Sequence, residues 1–418
     1  MANLRPVLLV GLLVLGYMMW IEWQRDYGPA PAEPVLTNTA TGNPVTDTAA
    51  PGADSADIPG TGDIPTVQSA TASETPRPAV QQQQMQQREM VIVTTDVLEL
   101  SIDLNGATAA EAHLLKYPVE LDSPEITVML LSPDPGRLFL AQSGLLSHQQ
   151  TPNHNSVFEA EAREYRLSEG QGELSVPFTW RSDDGIEVVK TYTFQSGSYE
   201  VDVNFSVRNN STEAWAGSRY DQLQRAVAGD EDSGGFTNPE RYSFFGIGFY
   251  DPEDKFEKLS FDDVEDENYK KTTREGWLAM IQHYFFSAWI PPIDNETTYS
   301  ALQINQPGAF PRFIARAVSP SQQVAAGSQA EFPGRLYVGP KLQDNLPEVA
   351  PGLEYTVNYG IFTVFSKPLF WLLDKIHNYT NNWGWAIVLL TVLIKLAFFK
   401  LTEAQYRSTA RMRKLQPR

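Results

Sequence analysis

The stretch YEVDVNFSVRNN, residues 199–210, alternates Tyr199, Val201, Val203, Phe205 and Val207 with Glu200, Asp202, Asn204 and Ser206. An extended chain turns successive side chains to opposite faces, so this period of two predicts a β-strand with one buried and one wet face. Upstream, IEVVKTYTF (186–194) is a second strand candidate, and SDDG (182–185) before it is a turn signal, which makes consecutive antiparallel strands the expected arrangement. VIVTTDVLELSIDL (91–104), EITVMLLS (125–132), ALQIN (301–305) and GRLYVGP (334–340) add further strands. No helical patterns alternate with them, so residues 91–350 are expected to form one large, mainly β, antiparallel sandwich.

Composition narrows the function. The 418 residues carry 32 basic and 51 acidic side chains, a formal charge of −19, and nucleic acid is a poor partner for so acidic a chain. Cysteine is absent, which removes disulfides, zinc–thiolate sites and cysteine nucleophiles. The five histidines, His113, His148, His154, His283 and His377, lack the spacing of a zinc helix, and neither G-x-S-x-G nor H-E-x-x-H occurs. GTGD (60–63) lacks the Gly-Lys-Ser/Thr ending of a phosphate loop, and DDVEDE (262–267) lacks the glycine and terminal glutamate of a calcium loop, so it is expected to be a solvated loop. No enzyme activity, metal or cofactor is expected.

The ends of the chain point to a membrane. MANLRPVLLVGLLVLGYMMWIEW places Arg5 before an apolar run closed by Trp20 and Trp23, without a small-x-small cleavage site, and predicts an uncleaved transmembrane anchor over 1–23. Residues 24–90, rich in Pro, Ala, Thr, Gly and Gln, cannot bury enough apolar area to order themselves and are expected to be a tether. Beyond the sandwich, Leu369, Leu372, Leu373 and Ile376 fall on one helical face after Pro368, which suits a first helical position. An amphipathic helix lying along a membrane surface is therefore expected over 361–380. Trp383 and Trp385 mark an interface, and 383–401 reads as a second transmembrane helix, followed by a basic region at 402–418. Arg407, Arg411, Arg413, Lys414 and Arg418 against Glu403 make that tail cytoplasmic by the positive-inside rule, and Arg5 puts the other terminus there too. The acidic bulk then lies on the opposite side, the periplasm of a bacterium.

One residue breaks the second span. Lys395 sits inside AIVLLTVLIKLAFFK (386–400), where a charge costs about 2.5 to 3.5 kcal/mol on insertion scales. Either its stem snorkels towards the interface at Lys400, or it faces a wet cavity.

GWLAMIQHYFFSAWIP (276–291), LYVGP (336–340), VAPGLEYTVNYG (349–360), SKPLF, NWGWAIVLLTVLIK and LTEAQYRSTARMRKLQP together resemble the YidC/Oxa/Alb family of membrane protein insertases, in order along most of the chain. The resemblance implies a multi-pass protein of the bacterial inner membrane whose periplasmic domain is a β-supersandwich similar to sugar mutarotases. Its partners would be nascent membrane proteins as clients, the lipid bilayer, the Sec translocon and the ribosome. It also implies a cytoplasmic hairpin and four more membrane helices after the LQP motif, so the chain is expected to be an incomplete fragment. Such proteins carry a basic residue, usually arginine, in a water-filled groove open to the cytoplasm and lipid. Lys395 matches that position, which favours the groove; lysine keeps the charge but loses the planar fork. A membrane-tethered glycan-binding or sugar-processing sandwich is the alternative, and a module that docks translocon partners is a third reading.

Overall fold

The computed structural model describes residues 89–120, 122–227, 244–266, 269–305, 309–343, 345–357 and 363–415. The anchor expected at 1–23, and all but the last two residues of the tether expected at 24–90, lie outside the described residues. The described chain forms a β unit ending at Val357 and a helical unit that follows it.

In the β unit, the opening stretch becomes the strand Glu200–Asn209, with Val201, Val203, Phe205 and Val207 wholly buried and the intervening positions partly exposed. It pairs antiparallel with Ile186–Gln195 on one side, Val201 opposite Phe194 and Asn209 opposite Ile186. On the other side it pairs first with Arg335–Pro340 and then with Gln329–Phe332. Among the described residues this sheet has ten strands. Its main path runs from Lys255–Leu259 through Gly246–Asp251, Trp277–Ile281, Phe285–Ile290, Arg335–Pro340, Glu200–Asn209, Ile186–Gln195 and Glu173–Arg181 to Glu159–Ala160.

A second sheet, of eleven described strands, centres on Trp215–Ala226, which lies between Phe139–Ser147 and Arg312–Val318. The sheets close on one apolar core that takes Leu100, Ala141 and Leu223 from one and Val188, Phe205 and Trp289 from the other. Cross-sheet hydrogen bonds tie them together: the Trp289 indole donates to the Gln222 carbonyl at 3.1 Å. The motif segments meet at one place, where Trp277 stacks on Tyr250 and its indole donates to the Pro351 carbonyl at 2.9 Å.

The acidic run at 262–267 differs from expectation, because Phe261–Asp266 is a short helix, α1. The reason is local. The Asp263 carboxylate accepts from the Ser260 amide at 2.7 Å while the Ser260 hydroxyl accepts from the Asp263 amide at 3.2 Å, a reciprocal cap that satisfies two helix-end donors. A second short helix, α2 (Leu346–Val349), and the single turn Leu353–Thr356 close the unit.

The turn at Gly106 is the tightest backbone approach that matters for the core. Its φ is 76°, and a Cβ there would stand 2.3 Å from the His154 carbonyl oxygen. Both conformation and space therefore demand glycine. Gly106→Ala is expected to cost at least about 2 kcal/mol, read as a lower urea midpoint for the β unit; an unchanged midpoint would show that the turn relaxes freely.

The helical unit consists of α3 (Thr363–Thr380) and α4 (Trp383–Leu415). Helix α3 starts before Pro368 rather than at it. Proline in the second turn forfeits the one bond to the Val364 carbonyl, so the helix extends upstream at modest cost. The corner between α3 and α4 is built from polar side chains. Asn381 takes a φ of 49° and returns its amide to the His377 carbonyl at 2.7 Å, while the Asn382 side chain caps α4 by accepting from the Trp385 amide at 3.2 Å. The His377 ring stacks on Trp383 at 3.8 Å. Helix α4 continues past Leu401, where the apolar run ends. Glu403 supports that extension by pairing with Lys400 at 3.5 Å and with Arg407 at 2.7 Å.

Candidate functional site

Within α4, Trp383–Ser408 is long and apolar enough to cross a membrane. A helix of about 20 apolar residues spans the roughly 30 Å of hydrocarbon. Large side chains stand exposed around it, among them Trp385, Ile387, Val392, Leu396 and Phe398, as a lipid-facing surface requires.

Lys395 is exposed on this helix. Four polar side chains punctuate residues 383–402: Thr391, Lys395, Lys400 and Thr402. At about 100° per residue, Thr391 and Thr402 fall within about 40° of the direction of Lys395, whereas Lys400 points about 140° away. Three of the four thus form a line on one face. The Thr391 hydroxyl donates to the Ile387 carbonyl at 2.8 Å and the Thr402 hydroxyl to the Phe398 carbonyl at 3.0 Å, so both hydroxyls have a backbone acceptor while keeping lone pairs for water. Among the described residues no carboxylate lies within ion-pair distance of Lys395. Lys400 has Glu403.

The β unit holds charged residues that the sequence reading did not single out. Lys190, Arg219 and Asp221 are almost completely buried, at 0%, 1% and 1% exposed. The Lys190 ammonium donates to the Gly106 carbonyl at 3.0 Å and the Ala107 carbonyl at 2.8 Å, joining the strand Ile186–Gln195 to a turn of the opposite sheet. Burial pushes its pKa down, with Arg219 adding to that effect and Asp221 opposing it. Arg219 places Nε 2.9 Å and Nη2 2.8 Å from the two oxygens of Asp221, and Nη1 donates to the carbonyls of Val203 and Phe332 in the other sheet. Next to them, across three paired strands, Gln222 donates to Gln142 and accepts from Arg316, each at 2.9 Å. The alternation of IEVVKTYTF does place Lys190 at an inward position, the one signal that could have found it. The histidines sit on separate elements: His154 against the Tyr220 hydroxyl at 2.6 Å, His283 beside Tyr284, and His377 on Trp383. Among the described residues no group of three or more His, Asp or Glu stands close enough to hold a metal ion.

A mainly β sandwich followed by an apolar helix long enough to span a bilayer defines the class, a membrane protein with a large β domain outside the bilayer. Residues 90–372 match the family model of the YidC periplasmic domain, and 375–418 match that of the 60Kd inner membrane protein. The chain is 39% identical to a membrane protein insertase YidC of Thioalkalivibrio sulfidiphilus, covering 100% of this chain and 73% of that protein. With the same-named protein of Methylococcus capsulatus it shares 41%, covering 100% and 72%. A galactose mutarotase related enzyme from Lactobacillus acidophilus aligns with a TM-score of 0.39 at 11% identity, over 60% of this chain and 97% of that one. The chain belongs to the YidC family of membrane protein insertases.

Proposed function

We propose that this chain performs its family's task, placing client proteins in the inner membrane, and that the Lys395 face of α4 is a wall of the wet groove that receives them. The observation that carries the reading is the alignment of Thr391, Lys395 and Thr402 on one face of an otherwise apolar helix. Scattered polar residues would each pay a separate desolvation cost, whereas a single polar face lets water solvate all three. A hydrated, positively charged half-path shortens the dry distance a client's polar tail must cross and attracts its acidic residues. Burial of the client's apolar segment in lipid supplies the driving force.

A photo-crosslinker at Thr391 or Thr402 of the full-length protein is expected to capture a client in transit, and one at Leu393, on the opposite face, is not. Equal capture from both faces would remove the groove from this face of α4.

The topology that fits this mechanism has both termini in the cytoplasm and the β unit in the periplasm, in a protein that crosses the membrane more than once. Its further partners are the Sec translocon and the ribosome. The basic tail after Lys400 and Arg5 near the start support the orientation. Protease added to intact spheroplasts is expected to cut within 28–90 and release a folded core; a core reached only after the inner membrane is breached would contradict it. The sugar-processing alternative has only a fold likeness behind it, and a fold does not specify a function.

A further inference from the structure

One hairpin of the β unit runs past its own sheet. The strand Thr108–Glu120 pairs with Leu98–Asp103 only as far as Leu114, and beyond that point its sole strand partner among the described residues is Ser123–Leu131. Residues 116–120 and 123–127 therefore make a two-stranded arm. The pairing register shifts between Ala112 and His113, between Leu114 and Pro118, and between Pro118 and Glu120, and such irregularities bend a strand and increase its twist. Tyr117 holds the arm to the opposite sheet, edge-on to Phe285 with ring centres 5.5 Å apart and 6.4 Å from the ring of Tyr199.

The outer edge of the arm is open. Among the described residues Ser123–Leu131 has Thr108–Glu120 as its only strand neighbour, so the alternate amides and carbonyls that point away from that neighbour offer a template for one more strand. Pro124 blunts only the start of this edge. Val119 and Ile126 stand 60% and 58% exposed beside it. Glu120, Asp122 and Glu125 are exposed on the same arm and, among the described residues, belong to no ion pair, while Lys116 is the arm's one basic group.

Charge decides what can add there. A second copy of this chain, with a net charge of −19, would set the same three carboxylates against these, and an anionic bilayer is repelled in the same way. A segment that alternates lysine or arginine with apolar residues matches both the carboxylates and the exposed Val119 and Ile126. We infer that the free edge of Ser123–Leu131 takes up such a segment of another protein, extended, as an added strand.

The test uses the full chain in neutral detergent with a short synthetic peptide alternating lysine and valine, and reads amide hydrogen exchange along 123–131. At a peptide concentration about ten times its Kd, the outward amides of 125–129 are expected to exchange about tenfold more slowly, because exchange then proceeds only from the small unbound fraction. Methylating alternate backbone nitrogens of the peptide keeps its charge but removes the ladder bonds, and should abolish the protection. Glu120→Lys combined with Glu125→Lys, both at exposed positions, should abolish it as well. Protection that survives either change, equal protection by a peptide with glutamate in place of lysine, or no protection at 125–129 would overturn the inference. So would slowing of the same amides by anionic vesicles, or by raising the protein concentration without peptide.

Discussion

Replacing Asp221 with asparagine is expected to destabilise the β unit by about 3 to 5 kcal/mol, the usual cost of leaving a buried charge without its partner. At roughly 2 to 4 °C per kcal/mol for a unit of this size, its melting transition should fall by about 6 to 20 °C. The substitution keeps the shape of the side chain and removes only the charge. Arg219 and Lys190 would then share the interior with no anion between them, and neither reaches water. Removing both partners, as in Arg219→Met with Asp221→Leu, should cost less than removing one, because no unpaired charge remains. Calorimetry of the three proteins distinguishes the cases. A loss below about 1 kcal/mol in the single variant would mean that water or a shifted protonation state compensates the charge, and the ion pair would not be what joins the sheets there.

What the sequence revealed depended on whether apolar residues reported burial. In 199–207 they did: the strand and its inward face follow from alternation, and its pairing with 186–194 from the succession of strand candidates after a turn signal. The central strand Trp215–Ala226 escapes such a reading. Its segment SRYDQLQRA is polar yet buried on both faces, since Arg219, Asp221, Gln222 and Gln224 are paired or enclosed rather than solvated. A hydrophobic pattern cannot register a core built from buried polar groups. Lys190 is a milder case, a lysine at an inward position whose carbonyl partners come from residues 84 and 83 positions earlier in the chain.

Local signals were also outweighed by their neighbours. The acidic residues 262–266 are part of a helix because Ser260 and Asp263 cap it, and α3 begins before Pro368 because one lost hydrogen bond does not end a helix. Lys395 was legible as an anomaly from the start. Its companions Thr391 and Thr402 gain meaning only once α4 is seen to continue unbroken through all three positions.

The second large effect concerns that residue. If the Lys395 face of α4 lines a groove, as proposed, Lys395→Leu in the full-length protein makes that wall apolar and removes its charge. A client with an acidic translocated tail loses both hydration and attraction, while a client with a neutral tail loses only hydration. The expected result is a loss of about tenfold or more for the acidic client, corresponding to about 1.4 kcal/mol or more of lost charge interaction in a poorly screened site, and a smaller loss for the neutral one. Lys395→Arg should insert both clients, since it keeps the charge and adds a fork that can hold a carboxylate. The most direct measurement of the central claim is therefore insertion of the paired clients by the leucine and arginine variants in cells depleted of their own insertase. Selective failure of the acidic client with leucine, rescued by arginine, is the outcome expected of a groove. Equal insertion of both clients by the leucine variant would show that Lys395 only reaches for the interface.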